Sequence, residues 1–247
     1  MSADIIIRTE AVSRRFGGFT ALNKVSVAFE RGRLTSIIGP NGAGKSTYFN
    51  VLSGAFAPSD GRVVFDGEEL SGKKQHEFAH AGIAKSFQIT NIFPNSSVLE
   101  NARIALQARR SRFNWWTSRE KLGLEDEAAA LLGKVGLAAH ARRPARDLAH
   151  GQQRALEIAI ALASDPRLLL MDEPTAGMSP EETRAMMDLI VELAAERTVI
   201  LVEHKMKMVM GISDHIVVLH HGELLAVGTP DDIRANDEVR RVYLGQH

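Results

Sequence analysis

The chain has 247 residues, with 30 Lys plus Arg balanced by 30 Asp plus Glu, and no cysteine. That length suits one large α/β domain or a core with a smaller insert. The charge balance gives no broad field for nucleic acid or an anionic membrane as partner, and the missing cysteines exclude a disulfide framework, a thiol nucleophile and a cysteine-based metal site.

The N-terminal run MSADIIIRTE sets Asp4 and Glu10 around three isoleucines, which is neither a signal peptide nor a span. No other apolar stretch reaches the ~18 residues of a membrane helix, so work at a membrane would go through a partner. Ile5 to Thr9 and Val25 to Phe29 read as strands of a small antiparallel layer, with Gly17-Gly18 and Arg31-Gly32 as turns.

The apolar strand Leu34 to Ile38 runs into Gly39-Pro-Asn41-Gly42-Ala-Gly44-Lys45-Ser46-Thr47, which fits the phosphate-binding pattern G-x-x-x-x-G-K-[ST]. Gly42 and Gly44 let backbone N–H groups turn toward phosphates, and the helix expected over Lys45 to Ser53 points its positive end at them. Lys45 reaches the β- and γ-phosphates as a point charge, and the Ser46 hydroxyl is placed to hold Mg²⁺.

Gly61 to Phe65 followed by Asp66-Gly67 reads as a strand and turn, and Ile83 to Phe87 as a strand ending at Gln88. Ser97 to Arg110 and Glu120 to Val135 are rich in Ala, Leu, Glu and Arg, the composition of successive helices. These place a helical insert at 89–163, with the α/β core at 1–88 and 164–247. In the core, Arg167 to Met171 is an almost unbroken aliphatic run, as in a buried parallel strand. The helix Pro180 to Glu196 and the strand Thr198 to Val202 follow.

A phosphate loop alone covers kinases, GTPases and motors, so the second half must decide. Leu168 to Glu173, LLLMDE, resembles the Walker B strand of ATP-binding-cassette (ABC) ATPases. The resemblance implies an α/β P-loop NTPase core with an antiparallel β layer and a helical subdomain, with ATP as substrate and Mg²⁺ as cofactor. By it Asp172 orders Mg²⁺, Glu173 is the base that polarises the attacking water, and His204, after the strand TVILVEH, is the switch histidine at the γ-phosphate. Gln88 corresponds to the glutamine that senses Mg²⁺ and water at the hinge into the insert. Phe16 lies where the family stacks an aromatic on adenine, an interaction of ~1–3 kcal/mol; Phe19 is the other candidate, and either residue could simply pack the β layer.

The family signature LSGGQ reads LAHGQ here, Leu148 to Gln152. In the family this helix terminus closes over the nucleotide held by a second ATPase subunit. Ala149 lacks the hydroxyl that would reach the γ-phosphate and His150 replaces a glycine, while Gly151 and Gln152 remain at the head of a helix expected over Gln153 to Ala163. The loss of one charge-assisted hydrogen bond, ~1.5–3 kcal/mol, slows closure unless His150 supplies a donor or the helix terminus is sufficient alone. A second departure is Ser179 in TAGMS, where the family's common pattern ends in aspartate.

The resemblance covers essentially the whole chain. FGGFTALNKVS, GIAKSFQITNIFPNSSVLEN, EPTAGMSPEET and the ending VRRVYLG are similar to ATPase subunits of bacterial branched-chain amino acid importers and related urea, amide or organic-acid uptake systems. This implies a second ATPase subunit, equal or different, membrane permeases, indirectly a periplasmic solute-binding protein, and a peripheral position at the cytoplasmic face of the inner membrane. Ile89, Ile92 and Phe93 beside Pro94 form either a receptacle for a permease helix or the insert's own core, and Trp115-Trp116, flanked by Arg112 and Arg119, either face the membrane surface or a partner or pack the helical layer. The rivals are an exporter motor such as one for lipopolysaccharide extraction, a soluble ABC protein of DNA repair or translation, and a binding-only subunit.

Overall fold

A computed structural model describes residues 4–86, 92–110 and 120–244. The chain divides into two compact units, one of Met1–Ile83, Arg167–Glu173 and Ile190–His247, the other of Ala84–Pro166 and Pro174–Leu189. The second therefore takes in 174–189 besides the helical stretch expected at 89–163.

In the first unit, β1 (Ile5–Phe16) and β2 (Phe19–Glu30) form a long hairpin closed at Gly17-Gly18. Both strands run past the apolar cores read from sequence. Register shifts between Thr9 and Val12, with Ala11 at φ 48°, and between Val12 and Arg14, with Lys24 opposite at φ 50°, break the alternation without ending the pairing. With β4 (Asp60–Phe65) and β5 (Glu68–Glu69) they make a four-stranded sheet in the order β2-β1-β4-β5.

A six-stranded sheet has the order β10-β9-β3-β8-β7-β6. Its strands are β3 (Leu34–Ile38), β6 (Ile83–Ser86), β7 (Leu168–Asp172), β8 (Thr198–Val202), β9 (His215–His220) and β10 (Glu223–Gly228). The chain passes from the first unit to the second within β6. β3, β7 and β8 are buried along their whole length and pair in parallel, which is why they read as continuous apolar runs. β9 and β10 were not anticipated. Their signal is Ile216 to Leu219 followed by His221-Gly222, whose φ of 49° and 78° give the tight left-handed turn of an antiparallel hairpin.

The helix α1 (Lys45–Leu52) buries Tyr48, Phe49, Val51 and Leu52 in a core shared with Phe29, Phe65, Ile37, Leu170 and Ile200. The Tyr48 hydroxyl lies 2.8 Å from Thr9 Oγ1, which also accepts the Val27 N–H at 3.1 Å, so both polar groups in this apolar layer are partnered. The short helix α2 (Gln75–Ala81) precedes β6.

The second unit holds α3 (Val98–Arg110), α4 (Glu120–Lys134) and α5 (His150–Leu162), together with the opening turns of α6 (Pro180–Glu196). Ala102, Leu106, Leu124, Ala128, Leu132 and Leu156 are buried in it. Buried Asn101 accepts the Phe93 N–H at 2.7 Å and donates to Phe93 O at 3.0 Å and Ser97 O at 2.9 Å. That pins the loop before α3 and leaves the Phe93 ring exposed, while Ile92 is half-buried. Ile89, Trp115 and Trp116 lie outside the described residues. No helix among the described residues is long and apolar enough to cross a membrane.

Candidate nucleotide site

The phosphate loop is built by close approach. Buried β3 delivers the chain to Gly39, where an added Cβ would stand 2.3 Å from Leu219 O of β9, so only glycine passes there. Gly44 has φ 95° and caps α1; a Cβ on it would stand 2.7 Å from Ala21 O. A glycine cap offers no side-chain acceptor to the first N–H groups of α1, which together with the helix dipole make an anion site.

A cavity of about 280 Å³ opens at this point, lined by Phe19, Ala21, Asn41, Gly42, Ala43, Gly44, Lys45, Ser46, Thr47 and Glu173. Seven residues of the expected phosphate loop, Asn41 to Thr47, thus share one wall with the expected base. Lys45 is 9% exposed, and its Nζ donates to Gly39 O at 2.7 Å and Pro40 O at 3.0 Å. Burial pushes its pKa down, while the carboxylates of Glu173 and Asp172 act the other way.

Asp172 ends β7 opposite Val202 and is buried. Glu173 follows at φ 45°, a left-handed backbone that costs a non-glycine residue ~1–3 kcal/mol, held by its N–H to Val202 O at 2.9 Å. Strain of this kind turns the side chain out of the sheet edge toward the loop. His204 Nδ1 lies 3.5 Å from Glu173 Oε1 and 3.8 Å from Oε2 of Glu203, a fully buried residue whose carboxylate also accepts the His204 N–H at 3.2 Å. The three ends of β3, β7 and β8 therefore bring Lys45, Asp172, Glu173 and His204 into one neighbourhood, outside the carboxyl edge of a parallel sheet.

Phe16, expected to stack on the base, does not line the cavity. Its ring packs edge-on against Phe56 at 5.5 Å, with the Arg14 guanidinium 4.6 Å from its centroid. Phe19, directly opposite it across the hairpin turn, lines the cavity and is 66% exposed. Packing against Phe56 and Arg14 engages the first aromatic and leaves the second free. Gln88 lies outside the described residues.

In the second unit, Ala149 is the N-cap of α5 and its N–H is accepted by Gln152 Oε1 at 3.1 Å. The other end of that amide, Nε2, lies 3.0 Å from His140 Nε2. His150 is exposed, and a Cβ on Gly177 would come 3.5 Å from its Cε1. The Gly151 N–H donates to Glu182 Oε1 at 3.1 Å. Neither His140 nor Glu182 was singled out from sequence; S-P-E-E at 179–182, a capping-box pattern, was the available signal for the second.

The sequence model of the ABC transporter family matches residues 22–176, and that of a branched-chain amino acid ATP-binding cassette transporter matches 223–247. The chain belongs to the ABC transporter ATPases. This cassette is 42% identical over 251 residues to BraF of Pseudomonas aeruginosa, a high-affinity branched-chain amino acid transport ATP-binding protein, covering 98% of each chain. It is 39% identical to LivG of Escherichia coli K12, described in the same words, again over 98% of each. The cassette also resembles the ADP conformation of an ATP-binding cassette of an ABC transporter, with a TM-score of 0.86, 31% identity and coverage of 98% and 99%. A dimeric cassette in a post-hydrolysis state with ADP and Pi matches at 0.77 and 26%, covering 91% and 99%.

The C-terminal segment also reaches the start of the phosphate loop through Tyr243. Tyr243 packs on the cluster of Ile38, Val209, Ile216 and Val218, and its hydroxyl meets the Gly39 N–H at the start of the phosphate loop. Burial raises the Tyr243 pKa and that hydrogen bond lowers it, the net being upward.

Proposed function

We propose that this cassette is the ATP-hydrolysing subunit of an importer for branched-chain amino acids or related small solutes. It works peripherally at the cytoplasmic face of the cell membrane with a second ATPase subunit and membrane permeases, and a periplasmic solute-binding protein delivers the solute. The observation that supports hydrolysis most directly is the presence of Glu173 on the wall of a cavity that seven residues of the phosphate loop, with Phe19 and Ala21, also line.

The backbone N–H groups at Gly42 and Gly44 and the N-terminus of α1 bind the phosphates, and Lys45 adds a fixed charge at the β- and γ-positions. Ser46 and Asp172 are hard oxygen donors fit for Mg²⁺, which takes one or two protein oxygens besides the substrate phosphates. Once bound there, Mg²⁺ neutralises charge developing on the phosphates.

Glu173 accepts the proton of the water that attacks the γ-phosphoryl group, and His204, 3.5 Å from that carboxylate, orients the water and the terminal phosphate. The products are ADP and phosphate, and the work is the opening of a closed pair of subunits. Gln88 couples the site to the 89–163 segment. Phe19 takes the adenine-stacking role in place of Phe16. Ala149, His150, Gly151 and Gln152 form the α5 terminus that faces the nucleotide of the second subunit; the Ala149 and Gly151 N–H groups are held within the chain by Gln152 and Glu182, and the helix dipole and the remaining amides act on the phosphates. Phe93 is presented for a permease helix.

The test is affinity purification from native membranes, followed by ATP turnover of the recovered complex with and without solute-loaded binding protein. Recovery of permeases and turnover stimulated by a branched-chain amino acid support the reading. Recovery with lipopolysaccharide-extraction components, or turnover indifferent to every such solute, overturns it.

A further inference from the structure

We infer that Glu182 is a positioning residue that holds the N-terminal turn of α5 by clamping the Gly151 amide, and so sets the amide geometry that Leu148–Gln152 offers to the second subunit's nucleotide. The inference rests on the reading of that segment as a signature, and it adds the residue that fixes it.

Ser179-Pro-Glu-Glu182 is a capping box at the head of α6. The Ser179 N–H donates to Glu182 Oε2 at 3.0 Å and the Glu182 N–H donates to Ser179 Oγ at 3.2 Å. An ordinary box uses one carboxylate oxygen. Here the second, Oε1, accepts the Gly151 N–H at 3.1 Å, so a single carboxylate joins the first turns of two helices. A Cβ at 151 would stand 2.9 Å from that oxygen, and glycine is what permits the approach. The two backbone N–H groups hold the Glu182 carboxyl below its ordinary range, which keeps it an anion and a pure acceptor.

Ala149 has no hydroxyl with which to cap α5. The turn is instead set by Gln152 from one side and by Glu182 from the other. Ser179, standing where the family pattern commonly has aspartate, supplies the box that aims Glu182. The segment following Glu173 in the chain is thereby tied to the signature amide within the same subunit.

The experiment compares wild type with Glu182→Ala, Glu182→Gln and Ser179→Ala in the complex with permeases and second ATPase subunit. Glu182→Ala is expected to lower kcat about tenfold with little change in KM for ATP, since the lost hydrogen bond acts on the closed state. Glu182→Gln keeps one acceptor oxygen but turns its NH2 toward the other N–H group, so it is expected to recover only part of the turnover, whereas Ser179→Ala removes only one capping bond and keeps most of it. Amide exchange of Gly151 in the full isolated chain is expected to be faster in Glu182→Ala than in wild type, with Glu182→Gln between them. Wild-type turnover in Glu182→Ala, a rise in its turnover, or an equal loss in Ser179→Ala would each overturn the role. A wild-type complex without Glu173-dependent hydrolysis would instead sink the functional reading, while the Gly151 exchange result would still decide the clamp.

Discussion

Replacing Glu173 by Gln changes one atom's chemistry and almost nothing of the shape. The strained backbone at φ 45° and the N–H bond to Val202 O are retained, and the amide oxygen can still accept from His204 across the 3.5 Å now separating Nδ1 from Oε1. What disappears is the ability to take a proton. General-base catalysis contributes about 10²–10⁴-fold, which is about 2.7–5.4 kcal/mol of barrier at 1.36 kcal/mol per decade.

The ground state moves the other way. Lys45 loses one of the two carboxylates that raise its pKa but keeps Asp172, and the arriving triphosphate meets one negative charge fewer. ATP affinity is therefore expected to hold or tighten. Equilibrium binding of a fluorescent ATP analogue to the purified chain reads the first quantity, and phosphate release by the assembled complex reads the second. Release within about tenfold of wild type would refute the assignment of Glu173 as base. An ATP affinity weakened more than about tenfold, 1.4 kcal/mol, would refute the electrostatic argument.

Gly44→Ala and Gly42→Ala form a pair, because both glycines have positive φ (95° and 79°) but only at Gly44 does a Cβ strike backbone, 2.7 Å from Ala21 O, while at Gly42 nothing lies within 4 Å. Both should lose the ~1–2 kcal/mol of a left-handed alanine in urea unfolding, and Gly44→Ala should lose clearly more and bind ATP far less; equal losses would mean that β2 yields to the methyl. Glu157 is buried on α5, with Oε2 on Arg154 Nη1 at 2.7 Å and Oε1 without a hydrogen-bond partner among the described residues, and burial raises its pKa despite Arg154. A carboxyl raised on folding costs stability as pH climbs through the folded pKa, so Glu157→Gln should stabilise the chain at neutral pH and lose that advantage below the ordinary carboxylate range. Urea midpoints measured across that window decide it, and a destabilised Gln variant at neutral pH would show that the Arg154 pair outweighs desolvation.

Local rules carried far along this chain where one physical signal dominated. α6 and β8 keep the bounds expected for them, Pro180–Glu196 and Thr198–Val202, since a proline start and a run of β-branched residues interrupted only by Leu201 leave little competition. α5 begins at His150, before the expected Gln153, because the Gln152 side chain turns back to cap Ala149 and carries the helical turn with it. β1 and β2 outran their apolar cores through bulges that sequence alternation does not announce.

The sequence by itself determined the chemistry on offer: a glycine-rich loop before a lysine, an Asp-Glu pair ending a buried strand, a histidine ending the next, and thereby the family. Those are local patterns, legible because phosphate binding needs particular residues at fixed short spacing. Tertiary structure decided which groups meet. Phe16 and Phe19 are paired across one turn, and only the packing of Phe56 and Arg14 separates the engaged ring from the free one. Tyr243 reaches Gly39, and Glu182 reaches Gly151, across stretches of chain whose closure depends on the whole sheet or helix layer. Such contacts are set by the sum of packing over each unit, and no spacing rule encodes them.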